Sequence, residues 1–590
     1  MEEYKKNVSS YSDALSAINK KYNSISLLRL LSIVFCLVLG YYYIKTDATL
    51  YLVSAALLFI GFVVLMRIHA KLSFKKKLTE TLLKINKNEI TFLKREKLPF
   101  ENGQEFIDFH HPYAYDLDIF GEHSLFQSLN RTGTFVGKKT LANQLLHNLT
   151  NDEITKNQDA IHELESKLDW RQKFLALAVL GRDTKEAYQA LLNWKDGKSA
   201  PISKMMSILM YVLPATFGAL LIAYFVTSNV TFLSYITFAF ILNTTILGMF
   251  FKRIQTEIAK AENIDTIIKQ YGLLVKEIEN ETFKSDKLIK LQNKLVYKNA
   301  KASIHLKQLS ELFSNMDTIN NFVSALLFNG VFLFNLHVLK NLLNWKTNHA
   351  SVLEEWLNVI GEFEMLNSLA NFSHNNQDFV FPELNTDFKI GFSNLNHPLL
   401  NPETRVGNEV QFFPESFMIL TGSNMSGKST FLRSLGINMV LGGIGSVVCA
   451  NKATMHPLPV LVSMRLSDSL SDSESYFFAE IKRLKQIMDA LEDKPAFVLL
   501  DEILRGTNSD DKRNGTIEVV KKVIAKKAIG AIATHDIEVC LTTNEYPDIL
   551  TNQCFEVEIK NNDLHFDYKL REGICKNKSA TFLMQKMGVI

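Results

Sequence analysis

The stretch Phe417-Met-Ile-Leu-Thr421-Gly422-Ser423-Asn424-Met425-Ser426-Gly427-Lys428-Ser429-Thr430, followed by Phe431–Val440, decides the fold class. Its first five residues are a short apolar run of the kind that fills a buried parallel strand. The residues after Thr430 carry helix formers at helical spacing. Between them stands G-x-x-x-x-G-K-S, placed between a strand and a helix as a phosphate-binding loop requires. Gly422 and Gly427 let the backbone wrap closely, so that the N–H groups of Ser423, Asn424, Met425 and Ser426 converge on one anion. The N-terminus of the following helix, after Thr430, adds partial positive charge. Lys428 reaches outer phosphates and the Ser429 hydroxyl suits one Mg²⁺ position.

Two further apolar strands belong to the same site. Ala496-Phe-Val-Leu-Leu500 ends in Asp501-Glu502, and Ala528–Ala533 ends in Thr534-His535-Asp536. An Asp at a strand end suits Mg²⁺, directly or through water, and the adjacent Glu suits a base that orients the attacking water. His535 then stands where a γ-phosphate can be sensed. Strands ending together at one edge are the logic of a doubly wound α/β sheet. ATP with Mg²⁺ is the expected ligand pair and ATP hydrolysis the expected activity.

Outside this region four uncharged apolar runs fall into two pairs. Leu30–Ile44 and Ala48–Met66 form the first, Met205–Val226 and Val230–Phe251 the second. Each approaches the ~20 residues a helix needs to cross a bilayer. Lys20, Lys21 and Arg29 precede the first pair and Arg67, Lys71, Lys75, Lys76 and Lys77 follow it; Lys195, Lys198 and Lys204, then Lys252 and Arg253, flank the second. By the positive-inside rule both pairs are hairpins with cytoplasmic ends. The expected protein is therefore integral to the cytoplasmic membrane, with its ATPase domain facing the cytoplasm. The start Met1-Glu2-Glu3 and the lack of a small-residue cleavage site favour an anchor over a removed signal. No acid or base interrupts the spans, so they read as tethers.

The expected organisation is a cytoplasmic segment (1–25), hairpin one (26–68), a helical region (69–204), hairpin two (205–251), a helical lever or core (252–386) and the α/β P-loop domain (387–590). Phe74–Lys97, Asp152–Trp194 and Arg253–Phe313 read as long amphipathic helices, either paired as a lever or packed as an ordinary helical body. The net charge of +3, from 65 basic and 62 acidic residues, neither implies nor excludes a nucleic-acid partner. Five cysteines without C-x-x-C spacing exclude a zinc ribbon or disulfide framework and suit a reducing compartment.

These residues together resemble the MutS family of DNA mismatch-repair ATPases. Thr421–Thr430 resembles its T-G-P-N-M-G-G-K-S-T loop, departing at Ser423 and Ser426. Leu500–Ser509 resembles L-D-E-x-G-R-G-T-S-T, and Ser475-Tyr476-Phe477-Phe478-Ala479-Glu480 resembles S-T-F-M-x-E. Thr534-His535, a strand at His397-Pro398-Leu399-Leu400, and Phe566–Gly573 match later elements. Gly121–Leu149, Gln158-Asp159-Ala160 and Phe363–Ala370 are similar to the family's helical core. The resemblance implies a homodimer in which Ser475 approaches the partner's nucleotide, and mismatched or branched DNA held in an ATP-gated clamp. The family's mismatch-reading and connector domains have no counterpart here, and Phe381-Pro382-Glu383 stands in the wrong place for its Phe-x-Glu wedge. The competing reading keeps the ATPase and replaces DNA by a protein or membrane partner on which the helices pull. A transporter fits poorly, because the spans are few and no Leu-Ser-Gly-Gly-Gln run occurs.

Overall fold

The computed structural model describes all residues except 182, 198–199, 260–263, 466–475, 561–562, 576–583, 585–588 and 590. Among the described residues four helices are long and apolar enough to cross a membrane, five if the bent pair Val323–Phe332 and Phe334–Asn375 is one span. Helix α1 (Glu2–Thr46) and α2 (Thr49–Leu93) form one antiparallel hairpin; α3 (Lys204–Thr227) and α4 (Thr231–Ala259) form another. The most apolar windows of α1 and α2 contain no buried residue. Leu37, Leu50, Phe225 and Phe238 point outward and are 67–73% exposed, so these are not the core helices of a compact body. At ~1.5 Å per residue, α1 and α2 are each roughly 68 Å long, twice the hydrocarbon layer, and their outer halves continue into the helical body.

That continuation is one rod. The predicted helix at Phe74–Lys97 is the second half of α2, with no break after the apolar run. Where it enters the body, Glu89 lies against Arg131, and both side chains are nearly fully buried. Asn86 exchanges amide hydrogen bonds with Gln172, and the Tyr4 hydroxyl donates to Asn375.

Over Asp152–Trp194 and Arg253–Phe313 the packed helical body forms and the long levers do not. The first divides into Asn151–Glu165, Leu168–Leu180 and Lys185–Asp196; Thr184 caps the last of these starts, while the break at Ser166–Lys167 has no side-chain cap. The second divides into the end of α4, Ile264–Asn280, Asp286–Asn293, a two-residue hairpin and Ala302–Met316. These short helices pack round α6 (Phe334–Asn375), the one long helix at the centre of the body. Just before it, a short helix absent from the sequence reading, α5 (Phe322–Phe332), meets α6 at 81°.

The C-terminal part holds a six-stranded sheet ordered β6-β5-β1-β4-β3-β2, with β1 Phe417–Gly422, β2 Val460–Ser463, β3 Phe497–Asp501, β4 Ile529–Ala533, β5 Leu550–Lys560 and β6 Asp563–Glu572. All pairs are parallel except β5 with β6. Side chains alternate between two cores, with Met418 and Leu420 on one face and Phe417 and Ile419 on the other. Helix α7 (Lys428–Gly443) covers the first face; α8 (Tyr476–Asp493) and α9 (Ser509–Ala525) cover the second. Burial on both faces explains why β1, β3 and β4 read as unbroken apolar runs. A smaller four-stranded sheet, built on Ile390–Leu395 and Asn408–Phe412, packs ahead of it. The predicted strand at His397–Leu400 is instead a turn. Pro398 brings no N–H, and His397 accepts from the Leu399 N–H, so the chain folds back.

Candidate nucleotide site

The ends of β1, β3 and β4 meet at one edge because these strands are in parallel register: Ala533 pairs with Asp501 and with Leu420. The loop from Gly422 to Gly427 leaves β1 there, and Gly427 takes the left-handed conformation (φ 104°) as it hands the chain to α7. Lys428 is buried at the helix start, its Nζ 2.8 Å from the Gly422 carbonyl and 3.2 Å from that of Ser423. Burial lowers its pKa, against the opposing pull of Glu502 and Asp501.

The Ser429 hydroxyl donates to Asp501 Oδ2 at 2.6 Å. Burial raises the Asp501 pKa, and its second oxygen, Oδ1, is buried with no hydrogen bond. The Ser423 and Ser426 hydroxyls are in the same condition. Unspent polar atoms facing one loop are costly unless a ligand uses them. Their chemistry, hydroxyls and a carboxylate around a lysine, fits a phosphate with a hard cation. No cluster of three or more His, Cys, Asp or Glu that could hold a metal occurs among the described residues.

Glu502 lies just past β3 in the left-handed region (φ 50°), a strained place for a side-chain-bearing residue. Its N–H donates to the Ala533 carbonyl at 2.9 Å, which locks the two strand ends together. Its Oε1 is 2.8 Å from His535 Nε2. That hydrogen bond, above all, brings its pKa down from 4.5 to about 2. His535 Nε2 also lies 3.4 Å from Lys428 Nζ. One nitrogen cannot donate to Glu502 and accept from Lys428 at once, so the shorter contact to a carboxylate assigns it as donor.

Asn424 and Met425 are exposed at the loop tip, while Ser429 and Thr430 face a cleft of about 600 Å³. The cleft continues past Gly427 to His397, Leu400, Phe555 and Tyr568, within the usual size of small-ligand pockets. Ser475 lies outside the described residues. Arg505 was absent from the candidate set, although it stands inside the Leu500–Ser509 run. Its guanidinium donates to the Glu502 and Asp501 carbonyls, and Glu480 holds the same turn by accepting from the Leu504 and Arg505 N–H groups.

Asp116 and Asp118, in the run before the first core helix, grip this domain. Asp116 accepts from the Met464 and Arg465 N–H groups at 2.8 Å, and Asp118 pairs with Arg465 and with Arg433 of α7. Nothing in the sequence marks these aspartates as partners of residues 315 to 349 positions away.

Residues 418–588 match the family model described as MutS domain V. The chain is 30% identical over 230 residues to MutS protein homolog 4 of Homo sapiens, covering 36% of this chain and 24% of that protein. It is 32% identical over 197 residues to the DNA mismatch repair protein MutS of Methanococcoides burtonii (32% and 22% covered), and 31% identical over 183 residues to that of Thermotoga neapolitana (30% and 23%). The matched part thus spans about a quarter of these relatives' length. The C-terminal third, with its P-loop sheet, is thus similar to MutS domain V, and the likeness of the chain to the MutS family rests on that part.

Proposed function

We propose that the protein is a membrane-anchored ATPase that closes, as a homodimer, on mismatched or branched DNA. The observation that carries the ATPase reading is the meeting of Lys428, Ser429, Asp501, Glu502 and His535 at one sheet edge. The loop N–H groups and Lys428 bind the phosphates, with Lys428 exchanging its two carbonyl partners for phosphate oxygens. Ser429 and Asp501 would hold Mg²⁺, which would supply charge neutralisation at the phosphates. Glu502 accepts a hydrogen bond from the attacking water. A carboxylate with so low a pKa is a weak base, but a loose phosphoryl transition state asks mainly for orientation. His535 holds that carboxylate in place and lies close enough to Lys428 to sense the γ-phosphate.

Support for DNA is the match to MutS domain V and the names of two of the relatives, DNA mismatch repair proteins. Ser475 is assigned to the dimer interface by resemblance alone. Support for the membrane is the length, apolarity and outward exposure of α1–α4 together with their basic flanks; this orients the ATPase to the cytoplasm. Glu502→Gln is expected to bind ATP and stall as a closed dimer, and Lys428→Ala to bind no nucleotide; normal turnover in either refutes these roles.

One observation favours the second reading, a mechanochemical ATPase without DNA. Helix α2 runs unbroken from the apolar region into the body, and just past its end Arg95 donates to the Leu399 and Leu400 carbonyls beside the cleft. Filter binding of the full-length protein in detergent to duplex, mismatched and branched DNA over a salt series separates the two. Affinity that falls steeply with salt supports the clamp, and absent binding supports the membrane-coupled motor.

A further inference from the structure

Helix α5 presents Val323, Leu327, Phe328 and Phe332 outward at 49–62% exposure, in an otherwise well-packed helical body. Its other side lies along α4. Gln255 of α4 meets Asn320, just before α5, and the buried Asn243 amide donates to the Gly330 carbonyl at 2.8 Å. Gly330 has no room for a side chain because the Phe240 ring lies against it. The ends of α5 therefore map onto two points twelve residues apart on α4, roughly 18 Å. Asn243 stands nine residues, about 14 Å, inside Lys252, the first charge after the apolar run. That is close to half of a ~30 Å hydrocarbon layer.

We propose that Asn321–Leu333 is a re-entrant membrane element, entering the cytoplasmic leaflet beside the second hairpin and turning back at Leu333 without crossing. The proposal rests on α3 and α4 spanning the bilayer, and it extends their apolar belt. The chain enters and leaves on one side: Ala302–Met316 runs back along α6, where Trp345 donates to the His305 carbonyl. The turn itself meets the demand that lipid makes of a broken helix, that its freed polar groups be satisfied inside the protein. Asn329 Oδ1 accepts from the Asn335 N–H, the Asn329 amide donates to Asn335 Oδ1, and the Asn335 amide donates to the Met316 carbonyl. Asn329, Leu333 and Asn335 are fully buried. In a water-facing helix such a network is unnecessary, and four large apolar side chains on one short face are a liability.

The test uses the full-length protein in liposomes, with the half-buried Cys36 and Cys575 replaced by serine and one bimane-labelled cysteine at a time. Leu327→Cys probes the element, Phe238→Cys the span and Lys307→Cys the aqueous body. Lipids carrying nitroxide in the acyl chain are expected to quench positions 327 and 238 several-fold more than 307. Quenching at 238 without quenching at 327 overturns the re-entrant element and leaves the spans standing. No quenching at either position removes the membrane reading and this proposal with it. A second arm labels Lys301→Cys and Ser351→Cys with a membrane-impermeant maleimide in sealed vesicles. Both are expected to react from the same side; reaction from opposite sides makes α5 and α6 a fifth crossing and also overturns the proposal.

Discussion

Substituting Arg131 by methionine tests how the first hairpin is joined to the body. Glu89 Oε1 and Oε2 lie 2.5 and 3.1 Å from the guanidinium, and the two side chains are only 3% and 4% exposed. Arg131 also donates to the Ser128 and Asn130 carbonyls and lies 3.4 Å from the centre of the Phe100 ring. Arg131→Met leaves a buried carboxylate with only the Asn371 and Asn375 amides as donors. Breaking a buried pair from one side costs about 3–5 kcal/mol, a large part of a typical domain's stability. That corresponds to a rise in local opening of roughly 10²- to nearly 10⁴-fold. Replacing both partners, with Glu89→Leu added, removes the stranded charge and is expected to recover most of the loss. Hydrogen exchange of the detergent-solubilised protein over residues 82–93 and 125–135 reads the effect. A double variant as unprotected as the sum of the singles refutes the argument; so does a single variant with unchanged exchange.

Three further outcomes follow from the nucleotide site. The depressed pKa of Glu502 means its charge, and any stability it lends, is complete above about 4.5 and is lost as pH falls toward about 2; in His535→Ala the leading cause of that depression is gone, so the acid limb of ATP turnover is expected to move up toward pH 4.5, and an unmoved limb refutes the pairing. Gly427→Ala places a Cβ 3.1 Å from the Tyr568 ring at φ 104°; the left-handed conformation alone costs about 1–2 kcal/mol, so nucleotide affinity measured by calorimetry is expected to fall about tenfold or more, and wild-type affinity counts against the loop geometry. Ser426→Gly removes a buried hydroxyl without an internal partner; if that hydroxyl serves bound phosphate, affinity drops while the melting temperature without nucleotide is unchanged or raised, and the opposite pattern makes Ser426 structural.

Local chemistry made much of this protein legible before any coordinates. The P-loop, the apolar strands and Asp501-Glu502 are runs whose composition follows from burial on both faces and from the needs of a phosphate, and they lie within a few residues of where the chain places them. The apolar pairs are legible for the same reason, since length and hydropathy are local properties. Of the two readings of the helical stretches, packed helices rather than long levers are what forms; period alone does not show breaks such as those before Leu168 and, at the Thr184 cap, before Lys185. The α5 segment escaped notice because an eleven-residue apolar helix is too short for a length criterion; only its contact with α4 gives it meaning. Tertiary structure alone decided the rest: Glu89 with Arg131, Asp116 and Asp118 on the ATPase domain, His535 against Glu502, and Arg95 on the Leu399 and Leu400 carbonyls. Such pairings join residues far apart in the chain through geometry that packing sets, and no periodicity or motif in a one-dimensional string encodes which charge will meet which.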